Sequence, residues 1–337
     1  ILNGDLKVAQ EWSSKVGISN NEYMIDNCQY LQSGTGVFDF AQESTTGLYN
    51  TKLTCTTADA SLAAGEYYAQ LFYIEGYDYS NLVGKTCTLS FDIYATKTGT
   101  SCTSFVNTGF DRSYVNEFTI NASNTWEQKE VEVTFDETGG TWNYTNGKGL
   151  LVLFSLGSGS TRQTGTTGSW VTGDFQCSTN QVNHADNTAN EYKLRNVSLT
   201  IGSSANFERD LVIKETFQET LEKCQRYWEA SYNYQVTPGT ASASGSSMHR
   251  IAENAATNAT VARDAVRFLV EKRTNPNMAY YDIAGTASQV TVDASTHEAP
   301  AAGSPVNEPK FKSFQVDFNT TTAGQKVRFQ WVASARF

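Results

Sequence analysis

Several kinds of residue and pattern are scarce in this sequence of 337 residues. It contains three Met, five Pro and three His, and charged residues make up only 18% of it. No stretch approaches the roughly 18 consecutive apolar residues that indicate a transmembrane helix. Acidic residues outnumber basic ones by 35 to 25, which gives a net charge of −10. A nucleic-acid partner and insertion into a membrane are therefore both unexpected.

Motifs for common catalytic chemistries are also missing. There is no GxSxG nucleophile elbow, P-loop, HExxH motif or EF-hand loop. A glycosidase needs two carboxylates roughly 5–9 Å apart in a cleft, and we interpret the strand-borne candidates Asp92 and Glu117 as outward-facing polar residues. The histidines His184, His249 and His297 are far apart in polar stretches, which favours solvent exposure. We therefore predict that the protein is not an enzyme.

The six cysteines are widely spaced and form no CxxC motif, which disfavours a zinc site. Cys87 and Cys102 flank one predicted hairpin and could form a disulfide in an oxidising compartment. A chain of this length does not need disulfides to stabilise its core. Cys224 belongs to an apolar helix stripe and is predicted to be a small core residue.

Aromatic residues are abundant, with 18 Phe, 17 Tyr and 6 Trp. Such side chains suit a pleated, half-buried surface, and regularly spaced strands with Gly and Asn turns favour a sandwich or barrel. The predicted strands are 51–57, 65–74, 86–95, 116–121, 126–135, 149–156, 191–201, 232–236, 248–253, 265–272, 278–283, 289–292, 311–318 and 326–337. Residues 34–50 are predicted to be rich in turns. The predicted fold class is all-β.

Alternation assigns faces to two of these strands. In residues 86–95, Leu89, Phe91 and Ile93 are predicted to point into the core. In residues 65–74, aromatic side chains occur on both faces. We interpret this second strand as a central one, with one face open to a ligand or a partner.

The stretch Phe207–Tyr232 differs from the rest because its apolar residues recur at helical spacing. Thr216 and Glu219 form the pattern of an N-terminal capping box. The apolar stripe that follows predicts a helix of about 14 residues that packs through one face. Its members are Phe217, Leu221, Cys224 and Trp228.

Parts of the chain resemble a known protein family. Residues 215–229, ETFQETLEKCQRYWE, are similar to the (S/T)(Y/F)xEELxxCQRYYE signature in C-terminal regions of bacteriophage tail-fibre and related virion proteins. Residues 74–99 resemble the IEGxxxxxLxGKxxTLSFxxxAxxTG pattern of carbohydrate-binding jelly rolls of the family 4/9 type in phage proteins. Residues 266–276 and 327–336 resemble the strands of that family's small C-terminal β domain.

This resemblance implies an architecture and a function. Residues 1–203 would form a jelly-roll β-sandwich similar to a carbohydrate-binding module, and residues 204–337 a helix with a smaller C-terminal β-sandwich. The protein would be a homotrimeric tail-fibre adhesin of the virion that binds host cell-surface polysaccharide and other virion proteins. It would be made in the reducing cytoplasm of the host bacterium, which implies that all six cysteines are thiols.

Aromatic rings that stack on the C–H faces of sugars are the expected binding groups, assisted by a few polar side chains. The candidates are Tyr68, Tyr73, Tyr77, Tyr79, Tyr94, Trp142, Tyr144 and Trp170, with Gln70 and Asp92 as polar partners. Each ring could instead pack in the core or between subunits. Trp142 and Trp170 lie in loop-like segments, where a core role is less natural.

A structural calcium ion is the one metal that the resemblance suggests. In the related modules, an NGxF turn and an acidic residue on the last strand can hold Ca²⁺ through oxygen ligands. Asp5 matches the first part of this pattern, whereas Arg195 and Asn196 stand where the acidic residue is expected. We therefore predict no cofactor, with Asp5 as a weak calcium candidate.

Two alternative functions remain open on the sequence. The protein could be a purely structural capsid or tail decoration protein that uses the same fold. It could also be the binding module of a secreted glycan-degrading enzyme, which would require a catalytic domain beyond the ends of this sequence.

Overall fold

The computed structural model describes residues 1–135, 138–203, 215–250, 260–292, 296–298, 306–320 and 326–337. The chain divides into two compact units, of which the first comprises 1–9, 13–217 and 337 and the second 10–12 and 218–336. Strands dominate both units, and the all-β prediction is confirmed. In the described part of the chain, no helix is both long and apolar enough to cross a bilayer. The predicted division at 203/204 borders residues 204–214, which lie outside the described residues. The start of the predicted helical stretch, 207–214, also lies outside them.

The first unit contains strands β1 to β15 and the short helix α1 (Gly76–Tyr79). The strands are β1 (Ser14–Lys15), β2 (Tyr23–Ile25), β3 (Cys28–Gln32), β4 (Val37–Thr45), β5 (Leu48–Thr57), β6 (Tyr67–Glu75), β7 (Thr86–Ala95), β8 (Gly99–Asn107), β9 (Arg112–Ile120), β10 (Glu127–Thr134), β11 (Lys148–Ser158), β12 (Gln163–Thr164), β13 (Trp170–Thr172), β14 (Cys177–Ser178) and β15 (Glu191–Ile201).

Thirteen of these strands form a jelly-roll sandwich of two antiparallel sheets, and β12 and β14 form a separate parallel pair. The six-stranded sheet has the order β1-β4-β5-β15-β7-β10, and the seven-stranded sheet has the order β13-β9-β8-β11-β6-β3-β2. The ring of Phe91 on β7 contacts Phe118 on β9 and Phe154 on β11, with ring centroids 5.0 Å apart in each pair. Alternate side chains of the two sheets therefore fill the space between them.

Strands with a clear apolar face were predicted well. The bounds of β7 and β15 match the predicted 86–95 and 191–201, and Leu89, Phe91 and Ile93 are fully buried. The prediction of turns at 34–50 is wrong, because β4 pairs with β5 and buries Phe38 and Phe40.

The outer face of the seven-stranded sheet, which points away from the six-stranded sheet, is buried as well. One apolar cluster covers the part of this face around β6. Its buried members are Tyr23, Ala69, Leu71, Tyr73, Val106, Leu151 and Leu153, with Leu31 and Phe337 packed against them. A second cluster joins Cys102 and Val115 to Cys177 and Phe175. The prediction that one face of β6 is open to a ligand is therefore wrong.

All six cysteines are buried free thiols, as predicted. Cys87 lies on β7 in one sheet, whereas Cys102 lies on β8 in the other. The prediction that they flank one hairpin is wrong, because β8 is a separate strand that alternation did not reveal. Its buried positions include Ser101, Thr103 and Ser104. Because these buried residues are polar, the sequence of β8 shows no apolar alternation.

His184 is buried, contrary to the prediction of a solvated side chain. It is 1% exposed, its Nε2 lies 2.8 Å from the Ser101 hydroxyl, and its ring packs edge-on against Tyr192. Burial lowers the pKa of His184 to about 4, with the Lys97 ammonium adding to the decrease and Asp186 opposing it. The predicted exposure of His249 and His297 stays a prediction.

Protonation of His184 should destabilise the fold in acid. Its folded-state pKa is about 4, below the unfolded value near 6.5, so the unfolded chain binds the extra proton first. Stability from this residue is complete above about pH 6.5 and falls by roughly 3 kcal/mol between pH 6.5 and pH 4. Urea unfolding of the wild type and His184→Gln across this range should show a pH-dependent difference between them. A constant difference would contradict the prediction.

The second unit contains helix α2 (Phe217–Gln225) and nine strands, counted over the described residues. The strands are β16 (Trp228–Ala230), β17 (Ser247–Arg250), β18 (Thr260–Arg267), β19 (Asn277–Tyr281), β20 (Val290–Val292), β21 (Thr296–Glu298), β22 (Val306–Asn307), β23 (Ser313–Thr320) and β24 (Lys326–Ser334). Strand β24 pairs with β16, β17, β19 and β20, and β23 pairs with β18 and β22, all antiparallel. Phe268, Phe314 and Trp331 contact one another in the core.

Helix α2 is shorter than predicted, and its apolar stripe is only partly buried. Cys224 is buried as predicted and Leu221 is half-buried, whereas Phe217 is 43% exposed. Trp228 is buried but belongs to β16 and not to the helix. The chain leaves the helix at a turn in which the backbone N–H of Tyr227 donates to the Cys224 carbonyl.

A buried ion pair holds the C-terminal end of α2. The Lys272 ammonium donates to the carboxylate of Glu229 and to the carbonyl oxygen of Gln225, both at 2.5 Å. The other Glu229 oxygen accepts from the backbone N–H of Leu269 at 3.0 Å. Burial lowers the pKa of Lys272, which Glu229 opposes. A buried charge of this kind is tolerated only while its partners remain in place.

Breaking this pair should destabilise the second unit strongly. Glu229→Gln leaves the Lys272 ammonium buried without its counter-charge, and we expect a loss of roughly 3 kcal/mol in the free energy of unfolding. Glu271→Gln removes a carboxylate from the exposed Lys312–Glu271 pair and should cost less than about 1 kcal/mol. Urea unfolding measures both variants, and equal costs would contradict the assignment of Glu229 as a structural anchor.

Candidate functional site

Two of the predicted binding residues near the start of β6 lie inside the sandwich. Tyr68 is fully buried, and its hydroxyl donates to Asp59 at 2.6 Å and accepts from the Gly36 backbone N–H at 2.7 Å. Gln70 is fully buried, and its side-chain oxygen accepts from the Thr51 hydroxyl at 2.8 Å. Neither side chain can contact a ligand, so these two predictions are wrong.

Tyr73 is likewise buried, within the apolar cluster on the outer face of the seven-stranded sheet. Its hydroxyl donates to the Gln29 side-chain oxygen at 2.7 Å, and this contact satisfies the polar end of the ring. Tyr73 is therefore a packing residue.

Tyr94 and Asp92 lie on the outer face of the six-stranded sheet, where their polar groups are already engaged. Asp92 accepts from Arg195 Nε at 3.1 Å and from Asn196 Nδ2 at 2.8 Å. The Arg195 guanidinium lies 4.0 Å from the centre of the Trp126 ring, and the Lys193 ammonium lies 4.7 Å from that of Tyr94. These cations cover aromatic faces that a sugar would need.

The remaining rings assemble at one end of the sandwich, in what we call the aromatic end cluster (Tyr79, Phe135, Trp142, Tyr144 and Trp170). Tyr79 stacks on Trp142 with centroids 5.2 Å apart and an interplanar angle of 9°. It also stacks on Tyr144 at 6.0 Å and 12°. Trp142 meets Trp170 edge-on at 5.4 Å, and Phe135 contacts both Tyr79 and Trp170.

Two loops bring these rings together. Helix α1 carries Tyr79, and the segment from β10 to β11 docks on it: the backbone N–H of Gly76 donates to the Gly147 carbonyl at 2.9 Å. A Cβ on Gly76 would lie 2.5 Å from the Thr145 carbonyl oxygen, and one on Gly149 would lie 2.7 Å from the Tyr79 Cβ. Glycine at both positions therefore permits the close approach of the two loops.

The aromatic end cluster is buried at Tyr79, which we call its base, and accessible at Trp142, Tyr144 and Trp170, which we call its rim. Tyr79 is fully buried and Tyr144 is 38% exposed, while Trp142 and Trp170 are half-buried. The Trp142 indole N–H donates to the Gly139 carbonyl at 2.7 Å, and the Trp170 indole N–H donates to the Thr134 carbonyl at 2.8 Å. Both indoles are thus fixed through their N–H groups, and this leaves ring surface as the part available to a ligand.

Tyr77 and Phe110 add exposed aromatic surface to nearby loops. Tyr77, which was predicted, lies on α1 two residues before Tyr79 and is 55% exposed. Phe110, which was not predicted, lies in the turn between β8 and β9 and has a positive φ of 56°. The sequence around Phe110 shows no apolar periodicity. Only the left-handed backbone and the exposed side chain distinguish this residue.

The carboxylates predicted as metal or acid–base candidates each have another polar partner. Among the described residues, no group of three or more His, Cys, Asp or Glu side chains could hold a metal ion. Asp5 forms an ion pair with Lys7 at 2.6 Å. Asp92 and Glu117 lie on different sheets, and Glu117 accepts from Asn180 Nδ2 at 2.9 Å. The calcium expectation for Asp5 remains untested.

Comparison with known proteins gives likenesses to solved structures only. No family model matches the chain, and no curated protein matches it. A family 4 carbohydrate-binding module is similar, with a TM-score of 0.34 and 14% identity over 59% of this chain and 98% of that one. A family 11 module from Clostridium thermocellum in complex with a β-1,3-1,4-mixed-linked tetrasaccharide has a TM-score of 0.32 and 11% identity, over 56% and 96%. The enzymatically active domain of bacteriophage CBA120 tailspike protein 4 has a TM-score of 0.31 and 12% identity, over 55% and 21%.

Removal of the Tyr79 ring should cost much more stability than removal of the Tyr144 ring. Tyr79→Ala deletes a fully buried ring and leaves a cavity, which should reduce the free energy of unfolding by roughly 3–5 kcal/mol. Tyr144→Ala deletes a ring that is 38% exposed and should cost about 1 kcal/mol. Urea unfolding of both variants measures the difference. Similar costs would show that Tyr79 is not the base of the cluster.

Proposed function

We propose that the protein binds glycans without catalysis, through the rings of Trp142 and Tyr144 in the aromatic end cluster. The observation that carries this proposal is the pair of stacking contacts on Tyr79. Because Trp142 and Tyr144 lie at 9° and 12° to the same buried ring, their own planes are close to parallel. Partly exposed rings that are held in fixed planes suit the flat C–H faces of pyranose units.

Polar groups suited to sugar hydroxyls border these rings. Thr141 precedes Trp142, and Asn143 separates Trp142 from Tyr144. The Asn143 side-chain oxygen accepts from the backbone N–H and the hydroxyl of Thr145 at 2.8 and 3.1 Å. These contacts order the loop before a ligand arrives, which reduces the entropic cost of binding.

For the biological setting, we propose a bacteriophage tail-fibre adhesin that recognises host cell-surface polysaccharide, as a homotrimer in the virion. The support is the ETFQETLEKCQRYWE motif, which resembles that of tail-fibre proteins. The alternatives are a structural capsid or tail decoration protein and the binding module of a secreted glycan-degrading enzyme. Glycan binding is expected both of a tail-fibre adhesin and of an enzyme's binding module, so the glycan site is common to these two settings.

Glycan binding should depend on two of the rim rings. The whole chain would be titrated with the β-1,3-1,4-mixed-linked tetrasaccharide and applied to an array of bacterial surface polysaccharides. Trp142→Ala and Tyr144→Ala should each weaken binding at least about tenfold, because each removes one stacking face. Isothermal titration calorimetry on the bound saccharide measures this effect.

Tyr234→Ala is the matched control, since Tyr234 is a similarly exposed tyrosine, 39%, in the second unit. Its affinity should equal that of the wild type. Failure of the wild type to bind any of these glycans would reject the proposed function and favour the structural decoration protein. Equal losses in all three variants would reject the site.

A further inference from the structure

The loop that carries Trp142 is tied to the turn between β8 and β9 by one carboxylate. Asp111 Oδ1 accepts from Asn107 Nδ2 at 2.5 Å and from the Thr141 backbone N–H at 3.0 Å. Asp111 Oδ2 accepts from the Thr141 hydroxyl at 3.1 Å. Both oxygens of Asp111 therefore contact Thr141, the residue directly before Trp142.

Asn107 also contributes to this connection between the loop and the turn. It is fully buried, and its Nδ2 donates to the Thr141 carbonyl at 2.8 Å as well as to Asp111. Its Oδ1 accepts from the backbone N–H groups of Asp111 and Arg112 at 3.1 and 3.0 Å. The Asn107 hydrogen bond lowers the pKa of Asp111. A buried amide with every polar atom engaged holds its surroundings in one arrangement.

Two glycines allow the loop to reach this position. Gly139 and Gly140 have positive φ values of 72° and 74°. A Cβ on Gly140 would lie 2.6 Å from Asp111 Oδ1 and 2.7 Å from Asn107 Nδ2. The carbonyl of Gly139 in turn accepts the indole N–H of Trp142 at 2.7 Å. The network thus passes from Asp111 through the loop backbone to the Trp142 ring.

We propose that Asp111 is a positioning residue for the glycan site, which sets the orientation of Trp142 through Thr141 before a ligand binds. Asp111 is only half-buried, and its carboxylate contacts loop atoms instead of the apolar core. Its hydrogen bonds therefore serve the placement of this loop more than the packing of the sandwich. The proposal rests on the proposed function, because it identifies what orders the same rings.

The test uses the full chain with Asp111→Ala, and Thr141→Val as a milder variant that removes only the hydroxyl donor. Without ligand, the Trp142 indole N–H should exchange with solvent about tenfold faster in Asp111→Ala. The near-ultraviolet circular dichroism of the Tyr79–Trp142 stack should decrease. Thr141→Val should show a smaller change in the same direction. Affinity for the β-1,3-1,4-mixed-linked tetrasaccharide, or the array glycan that the wild type binds, should fall about tenfold in Asp111→Ala.

Asp39→Ala is the matched control, because it removes another half-buried carboxylate that accepts from a backbone N–H, that of Gly17, and should leave the indole exchange rate and the dichroism unchanged. Unchanged exchange and dichroism in Asp111→Ala would overturn the positioning role, as would a change equal to that of Asp39→Ala. If these ligand-free signals change but the wild type binds no glycan, the positioning of Trp142 stands and the proposed function fails.

Discussion

The stacking of Trp142 and Tyr144 on the buried ring of Tyr79 is the interaction on which the candidate site depends. Tyr79 lies on a helix of only four residues, which could not hold a ring by itself. Its position is determined by close packing against Gly149 and by contact with Phe135. Because Tyr79 is buried, it holds the planes of Trp142 and Tyr144 close to its own.

The closed faces of the seven-stranded sheet leave the loops at the end of the sandwich as the place for the candidate site. Aliphatic side chains such as Leu71, Leu151 and Leu153 fill its outer face, and the segment containing β12 to β14 covers another part of it. The part of this face around β6 is therefore closed to a ligand. Loops at the end of the sandwich can instead present rings without exposing the sheet, and loops on a rigid scaffold commonly carry function.

The CQRYWE segment has a structural explanation in the second unit. Cys224 is buried, the Gln225 carbonyl accepts from Lys272, and Glu229 supplies the counter-charge for that buried ammonium. The Arg226 carbonyl accepts from the backbone N–H of Arg273. These contacts anchor the end of α2 to the β structure. The segment therefore explains how the second unit is built, whereas its link to virion proteins remains a resemblance.

Local pattern alone determined the all-β class, the bounds of β7 and β15 and the faces of β7, because strand geometry repeats every two residues and apolar alternation reports it directly. It did not reveal β8, whose buried side chains are partly polar. Nor could it separate Tyr68, which lies inside the sandwich, from Tyr144, which lies at its rim, since residue type alone does not report exposure. Only the tertiary structure decided which rings are exposed, because exposure depends on strand pairing and loop docking between residues far apart in the chain.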